Sequence, residues 1–122
     1  MVLSAAQVDA FERDGFLVVP DAVPHEACDE LIARAGRIVD EFDPRTVSIF
    51  STREQTRTSD EYFLSSGDGI CCFFEEEAFD ADGSLKQDKA LSINKIGHAL
   101  HDLDPVFDRF SRQPAIAEAA TS

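Results

Sequence analysis

Apolar and polar positions change their spacing several times along this chain, and each change predicts a new element. Ser4 followed by Gln7 has the spacing of a capping box, and Leu3 with Val8 has that of a hydrophobic staple, so a helix is predicted from about Ala5. Gly15 is its stop. The run Phe16-Leu17-Val18-Val19, closed by Pro20, predicts a buried strand leading into a turn around Asp21. From Pro24 onward Cys28, Leu31, Ile32, Ala35, Ile38, Val39 and Phe42 recur at three- and four-residue steps, which places them on one face of a helix that Pro44 ends. The opposite face, with Glu26, Asp29, Glu30, Arg34, Arg37, Asp40 and Glu41, reads as a solvated surface carrying a few intrahelical ion pairs.

Residues 47–50 predict a short strand, and residues 51–61, polar and without a period, predict an exposed loop. Tyr62-Phe63-Leu64 and Ile70-Cys71-Cys72-Phe73-Phe74 flank Gly67-Asp68-Gly69, whose glycines offer positive φ, so a hairpin is predicted there. Glu75, Glu76, Glu77 and the Asp80-Ala81-Asp82-Gly83 turn read as solvated surface. Asp104 as N-cap with Pro105 at the first helical position starts a segment bearing Val106, Phe107 and Phe110, and Pro114 starts another. Residues 115–120 keep a helical composition up to the last residues, which reads as an interrupted element. The pattern as a whole is α+β, in one domain of 122 residues.

Composition narrows the partners. A formal charge of −13, from 24 acidic against 11 basic residues, repels phosphate backbones and anionic membrane surfaces, so neither nucleic acid nor membrane is an expected partner. No apolar run approaches the ~20 residues of a membrane span and the start lacks a secretion-signal layout, which leads to a cytoplasmic expectation. Cys28, Cys71 and Cys72 form no C-x-x-C unit and no even framework, and are expected as thiols. On a strand, Cys71 and Cys72 point to opposite faces, which favours packing over a shared metal site.

His98 and His101, three residues apart with Asp102 and Asp104 behind them, are the only candidate metal cluster. A mononuclear iron oxygenase needs two His and one carboxylate on one face of the metal, and neither His25, His98 nor His101 opens an H-x-D or H-x-E pair. No catalytic residue and no metal ligand is therefore assigned.

Asp14-Gly15-Phe16-Leu17-Val18-Val19, then Asp60-Glu61-Tyr62-Phe63-Leu64-Ser65-Ser66-Gly67-Asp68, then Leu91-Ser92-Ile93-Asn94-Lys95-Ile96-Gly97-His98-Ala99-Leu100-His101 with Asp104-Pro105-Val106-Phe107, in this order and spacing, resemble the opening of phytanoyl-CoA dioxygenase family proteins. The resemblance implies a double-stranded β-helix, or jelly roll, to which residues 1–122 would contribute N-terminal helices and strands, truncated before the iron-binding strands and leaving an incomplete barrel. It also implies an iron(II)- and 2-oxoglutarate-dependent hydroxylase acting on a small-molecule substrate. The lysine matching Lys95 belongs to the 2-oxoglutarate pocket, and the iron triad lies later, in a missing C-terminal barrel portion. Neither cofactor is then expected to bind tightly to this chain alone, and the chain is expected to be inactive. A rival expectation is a non-catalytic acidic interaction module derived from the same family. Where family members carry a basic residue after the match to Ser66-Gly67-Asp68, this sequence has Gly69 and the Cys71-Cys72 pair.

Overall fold

The computed structural model describes residues 1–44, 48–50 and 61–122; the expected strand over 47–50 and loop over 51–61 fall partly outside them. Helix α1, Ala5–Asp14, starts as its sequence dictates: Ser4 Oγ accepts from the Gln7 backbone N–H at 3.3 Å while Gln7 Oε1 accepts from Ser4 N–H at 2.9 Å. Gly15 ends it at φ 77°, in the left-handed region where a Cβ is costly. The strand expected over 16–19 does not form. Phe16 and Val18 point into solvent, and Leu17 and Val19 lie with Leu3, Val8 and Phe11 along an apolar cleft against the end of the chain. The apolar β-forming run was present there, but no strand among the described residues lies beside it to accept its backbone hydrogen bonds.

Helix α2, His25–Glu41, buries Ile38 and Val39 on the predicted face, while Ile32, expected on the same face, is exposed. Its last carbonyls are tied down from outside, because Lys89 Nζ donates to the Asp40 and Phe42 carbonyls at 2.8 Å each. Helix α3, Glu61–Leu64, replaces the first arm of the expected hairpin. Its helical turn lets the adjacent rings of Tyr62 and Phe63 both reach Phe73, at 5.3 and 5.6 Å between centroids, whereas a strand would send them to opposite faces. Ser65 and Ser66 hydroxyls then take up the carbonyls of Glu61 and Phe63, and a short 3₁₀ turn, Ser66–Asp68, leads on. Gly67 and Gly69 have no positive φ; among the described glycines that conformation belongs to Gly15 and Gly83.

The strand that follows, β1 (Ile70–Phe74), pairs with β2 (Ile93–His98), which comes much later in the chain. The pairing is antiparallel, with Cys72 opposite Ile96 and Phe73 opposite Lys95. Residues 48–50 run parallel to the other side of β1: Phe74 N–H donates to the Ser48 carbonyl at 2.8 Å and Phe50 N–H to the Phe74 carbonyl at 2.9 Å. Sheet alternation then divides the packing. On one face Cys72 meets Ile38 and Val39, with Ile70, Ile93, Ile96, Leu100 and Phe107 around them. On the other, Phe73 is fully buried among Tyr62, Phe63 and His98. Burying a side chain of that size contributes about 1.5–3 kcal/mol, so the sheet is filled on both sides.

Three short helices complete the chain: α4 (Leu100–Leu103), α5 (Pro105–Ser111) and α6 (Pro114–Ala120). Asp104 is the predicted N-cap of α5, its Oδ1 accepting from the Val106 and Phe107 N–H groups at 3.0 and 3.3 Å. Its other oxygen accepts from Arg34 Nε at 2.6 Å, so Arg34 leaves the solvated face assigned to it and turns inward. Glu30, further along α2, pairs with Arg109 of α5. The mixed helix and two-stranded sheet is α+β and compatible with part of a larger domain.

Candidate functional site

Lys95 lies inside β2, and Gly97 is the next residue on the same face. That spacing makes a lane for the lysine stem. A Cβ built on Gly97 would sit 3.1 Å from Lys95 Cε and 3.9 Å from Cγ, so the methylenes run along the bare glycine. At the end of the lane the ammonium sits 4.7 Å from the centroid of the Phe50 ring. Phe50 is anchored by its backbone pairing to Phe74, and its ring rests 6.2 Å from that of Phe63.

Several cations of this acidic chain are already engaged. Arg13, Arg34, Arg109 and Arg112 each hold a carboxylate, and Lys89 holds two carbonyls. Lys95, half-buried, has no carboxylate partner among the described residues. A cation kept on an aromatic ring in a chain of net charge −13, with no carboxylate beside it among the described residues, has donors to offer an anion from outside. On the opposite side of the sheet a cavity of about 480 Å³, which Lys95 also borders, is lined by Val39, Ile96, Leu100 and Phe107 and suits apolar contents.

His98 shares the aromatic face with Lys95, its ring 5.7 Å from Phe63 and 5.9 Å from Phe73. Ser66 Oγ donates its proton to the Phe63 carbonyl at 2.6 Å, so toward His98 Nδ1, 3.0 Å away, the hydroxyl acts as an acceptor. The Ser66 carbonyl, 3.3 Å from the same nitrogen, is an acceptor too. The network thus assigns the proton to Nδ1 and the lone pair to Nε2. His101 does not join it: it is exposed on α4 beside Asp102, with Nε2 3.4 Å from that carboxylate. The pairing of His98 with His101 weighed from their spacing is therefore not made, since one residue closes a strand and the other lies on a helix. Asp104, which followed them in sequence, is committed to Arg34 and to the start of α5. Although burial by itself raises its carboxyl pKa, the Arg34 guanidinium and the Phe107 and Val106 amides hold it below the ordinary value.

Cys72 is buried and Cys71 half-buried, on opposite faces as expected, and all three cysteines are free thiols. Burial, then the neighbouring Cys71, pushes the Cys72 thiol up and makes it a poor nucleophile. The Tyr62 hydroxyl, which donates to the Cys72 carbonyl at 3.3 Å, is pushed up to about 12, first by burial and then by its contact with Cys71. Sequence reasoning missed Phe50 and Ser66 as parts of this face. Ser66 sits in the quoted Ser65-Ser66-Gly67-Asp68 string but had no role there, and nothing local marks Phe50.

Residues 11–122 match the profile of the family described as phytanoyl-CoA dioxygenase (PhyH). The chain belongs to the phytanoyl-CoA dioxygenase family. A phytanoyl-CoA dioxygenase of Arabidopsis thaliana is 42% identical over 120 residues, which is 98% of this chain and 42% of that protein. A phytanoyl-CoA dioxygenase domain-containing protein 1 homolog of Dictyostelium discoideum is 45% identical over 112 residues, 91% of this chain and 40% of that protein. The rat phytanoyl-CoA dioxygenase domain-containing protein 1 is 42% identical over 120 residues, with 93% and 41% covered. The chain thus spans about two fifths of the length of these relatives. Among the described residues of this family member no three His, Cys, Asp or Glu side chains are grouped to hold a metal ion, and no described helix is long and apolar enough to cross a membrane. The described residues do not assemble an iron site: His98 closes β2 while His101 lies apart on α4, and no carboxylate joins them in a group of three.

Proposed function

We propose that this chain supplies the cosubstrate-binding lysine of an iron(II)- and 2-oxoglutarate-dependent dioxygenase, with Lys95 holding a carboxylate of 2-oxoglutarate and the iron ligands coming from sequence outside these 122 residues. The observation that carries this reading is the half-buried Lys95, its ammonium held over Phe50 without a carboxylate partner among the described residues. An ammonium so placed binds a dicarboxylate by charge-assisted hydrogen bonds without first breaking an internal ion pair. Family membership supports the same assignment. Bound iron and 2-oxoglutarate would supply the oxygen chemistry, hydroxylating a small organic substrate with release of succinate and carbon dioxide. The chain's own contribution is to hold and orient the cosubstrate.

The test joins this segment to the barrel portion of a family relative and titrates 2-oxoglutarate under anaerobic iron(II). Lys95→Met keeps most of the apolar stem and removes a charge-assisted hydrogen bond of about 1.5–3 kcal/mol, which weakens 2-oxoglutarate binding about tenfold or more. Iron affinity should change little. Equal 2-oxoglutarate affinities would return Lys95 to the status of a structural lysine.

A further inference from the structure

We propose that Phe50 and Gly97 are positioning residues for Lys95: the ring fixes where its ammonium sits, and the missing side chain of Gly97 fixes the path of its stem. The inference rests on the reading of Lys95 as an anion-binding residue and adds what makes the binding strong.

The argument begins with the cost of order. A lysine side chain has four rotatable bonds and loses up to about 2 kcal/mol of rotamer freedom when fixed, so a free lysine presents its charge at no defined place. Here both degrees of looseness are removed before a ligand arrives. Along the strand, Gly97 leaves a channel in which Lys95 Cγ, Cδ and Cε all lie within 4.0 Å of where a Cβ would be. At the tip, Phe50 offers its negative face to the ammonium at 4.7 Å from the centroid. Phe50 can do this because its own position is not soft: its N–H donates to Phe74 at 2.9 Å, and Phe74 is fully buried. Ring and anion do not compete. An ammonium carries three N–H donors, and a ring on one side leaves the others directed away from it. The ring also removes water from one side of the charge, which strengthens its attraction to an incoming carboxylate.

The two positions test different halves of the idea. Phe50→Leu keeps an apolar side chain but removes the quadrupole, and Phe50→Tyr restores it. Gly97→Ala is more pointed. Its Cβ would meet Lys95 Cε at 3.1 Å, a contact with the flexible end of a side chain, so the lysine yields by a few tenths of an ångström and the backbone need not. That substitution should move the ammonium while leaving the fold's stability unchanged.

Two measurements decide it. In this chain, carbon-13 NMR distinguishes the ε-methylenes of its three lysines, Lys86, Lys89 and Lys95; the Lys95 ε-protons should be ring-current shifted, the shift lost in Phe50→Leu, kept in Phe50→Tyr and altered in Gly97→Ala. In the segment joined to a relative's barrel, with 2-oxoglutarate as the probe under anaerobic iron(II), Phe50→Leu and Gly97→Ala should each weaken binding about three- to fivefold, with Phe50→Tyr close to wild type. A ring-current shift absent from wild type, or affinities unchanged in both variants, overturns the inference whatever Lys95 binds. A shift that behaves as expected beside a Lys95→Met variant of unaltered affinity sinks the cosubstrate reading instead, and with it the purpose assigned to the positioning.

Discussion

Removing one charge from Asp104 should cost this fold more than any surface substitution, and the structure says how much. Asp104 is 2% exposed and its carboxylate serves two masters: Oδ1 caps α5 through the Val106 and Phe107 amides, and Oδ2 receives Arg34 Nε at 2.6 Å. Asp104→Asn keeps the cap, because asparagine is as good an N-cap as aspartate, and loses the charge-assisted bond. A buried ion pair broken on one side costs about 3–5 kcal/mol when the orphaned charge stays dry. The Arg34 side chain, however, is 24% exposed and regains some water, so a loss of about 2–3 kcal/mol is expected. Asp104→Ala forfeits the cap as well, adding about 1 kcal/mol. Arg34→Met should cost about 2 kcal/mol, and the double variant Arg34→Met, Asp104→Asn should fall short of the sum by at least 1 kcal/mol. The pH dependence follows from the depressed carboxyl pKa: the stabilisation is fully present above the unfolded value of about 3.9 and is lost as the pH falls through the lower folded value. Urea unfolding followed by circular dichroism at neutral pH, and repeated at descending acid pH, measures all of it. Additive single substitutions within about 0.5 kcal/mol, or an Asp104→Asn variant as stable as wild type, would refute the coupling.

Tyr62 is the single tyrosine in a chain without tryptophan, so phenolate absorbance reports it alone; its midpoint should lie near 12, with stability intact below about 10 and lost as the pH rises through that window, and a midpoint near 10 in the folded chain would contradict its burial. Ser66→Ala should remove the nearer of the two acceptors of the His98 Nδ1 proton, leaving the Ser66 carbonyl 3.3 Å away, and cost about 1 kcal/mol; a variant as stable as wild type, with an unmoved Nδ1 signal in nitrogen-15 NMR, would disprove that role. The 122-residue chain by itself should convert no 2-oxoglutarate, and succinate above a protein-free control, abolished by a chelator, would show that His98 or His101 holds metal after all.

What the sequence disclosed depended on how far apart the interacting groups lie. The start of α1 and its stop at Gly15, the Ile38-Val39 part of the α2 face, and the Asp104-Pro105 start of α5 are written within a few residues and were read correctly, whereas Ile32, assigned to that same face, is exposed. Arg34 was misplaced because helical periodicity sees only the helix that carries it, and its partner lies 70 residues on. Residues 62–64 failed for a different reason: three apolar residues fit either a strand or one helical turn, and the choice was made by Phe73, which accepts two rings on the same side. Residues 16–19 had strand chemistry but no partner strand among the described residues. At the candidate site, Lys95 was named by resemblance alone, since its spacing marks it as nothing more than a surface lysine. The feature that gives it a chemical reason, an ammonium held over Phe50 apart from every described carboxylate, is a three-dimensional fact.

The clamp that Lys89 places on the end of α2 has a consequence for how this fold can drift. Its ammonium grips main-chain oxygens, those of Asp40 and Phe42, and every amino acid presents the same oxygen. Positions 40 and 42 are therefore released from any bargain with position 89. A search for pairs of positions that change together should miss this joint entirely, even though cutting it by Lys89→Ala would leave two helix-terminal carbonyls short of a donor and loosen the end of α2 from the turn that leads into β2. Such main-chain clamps let the side chains around a pocket diversify while the scaffold under it keeps its shape.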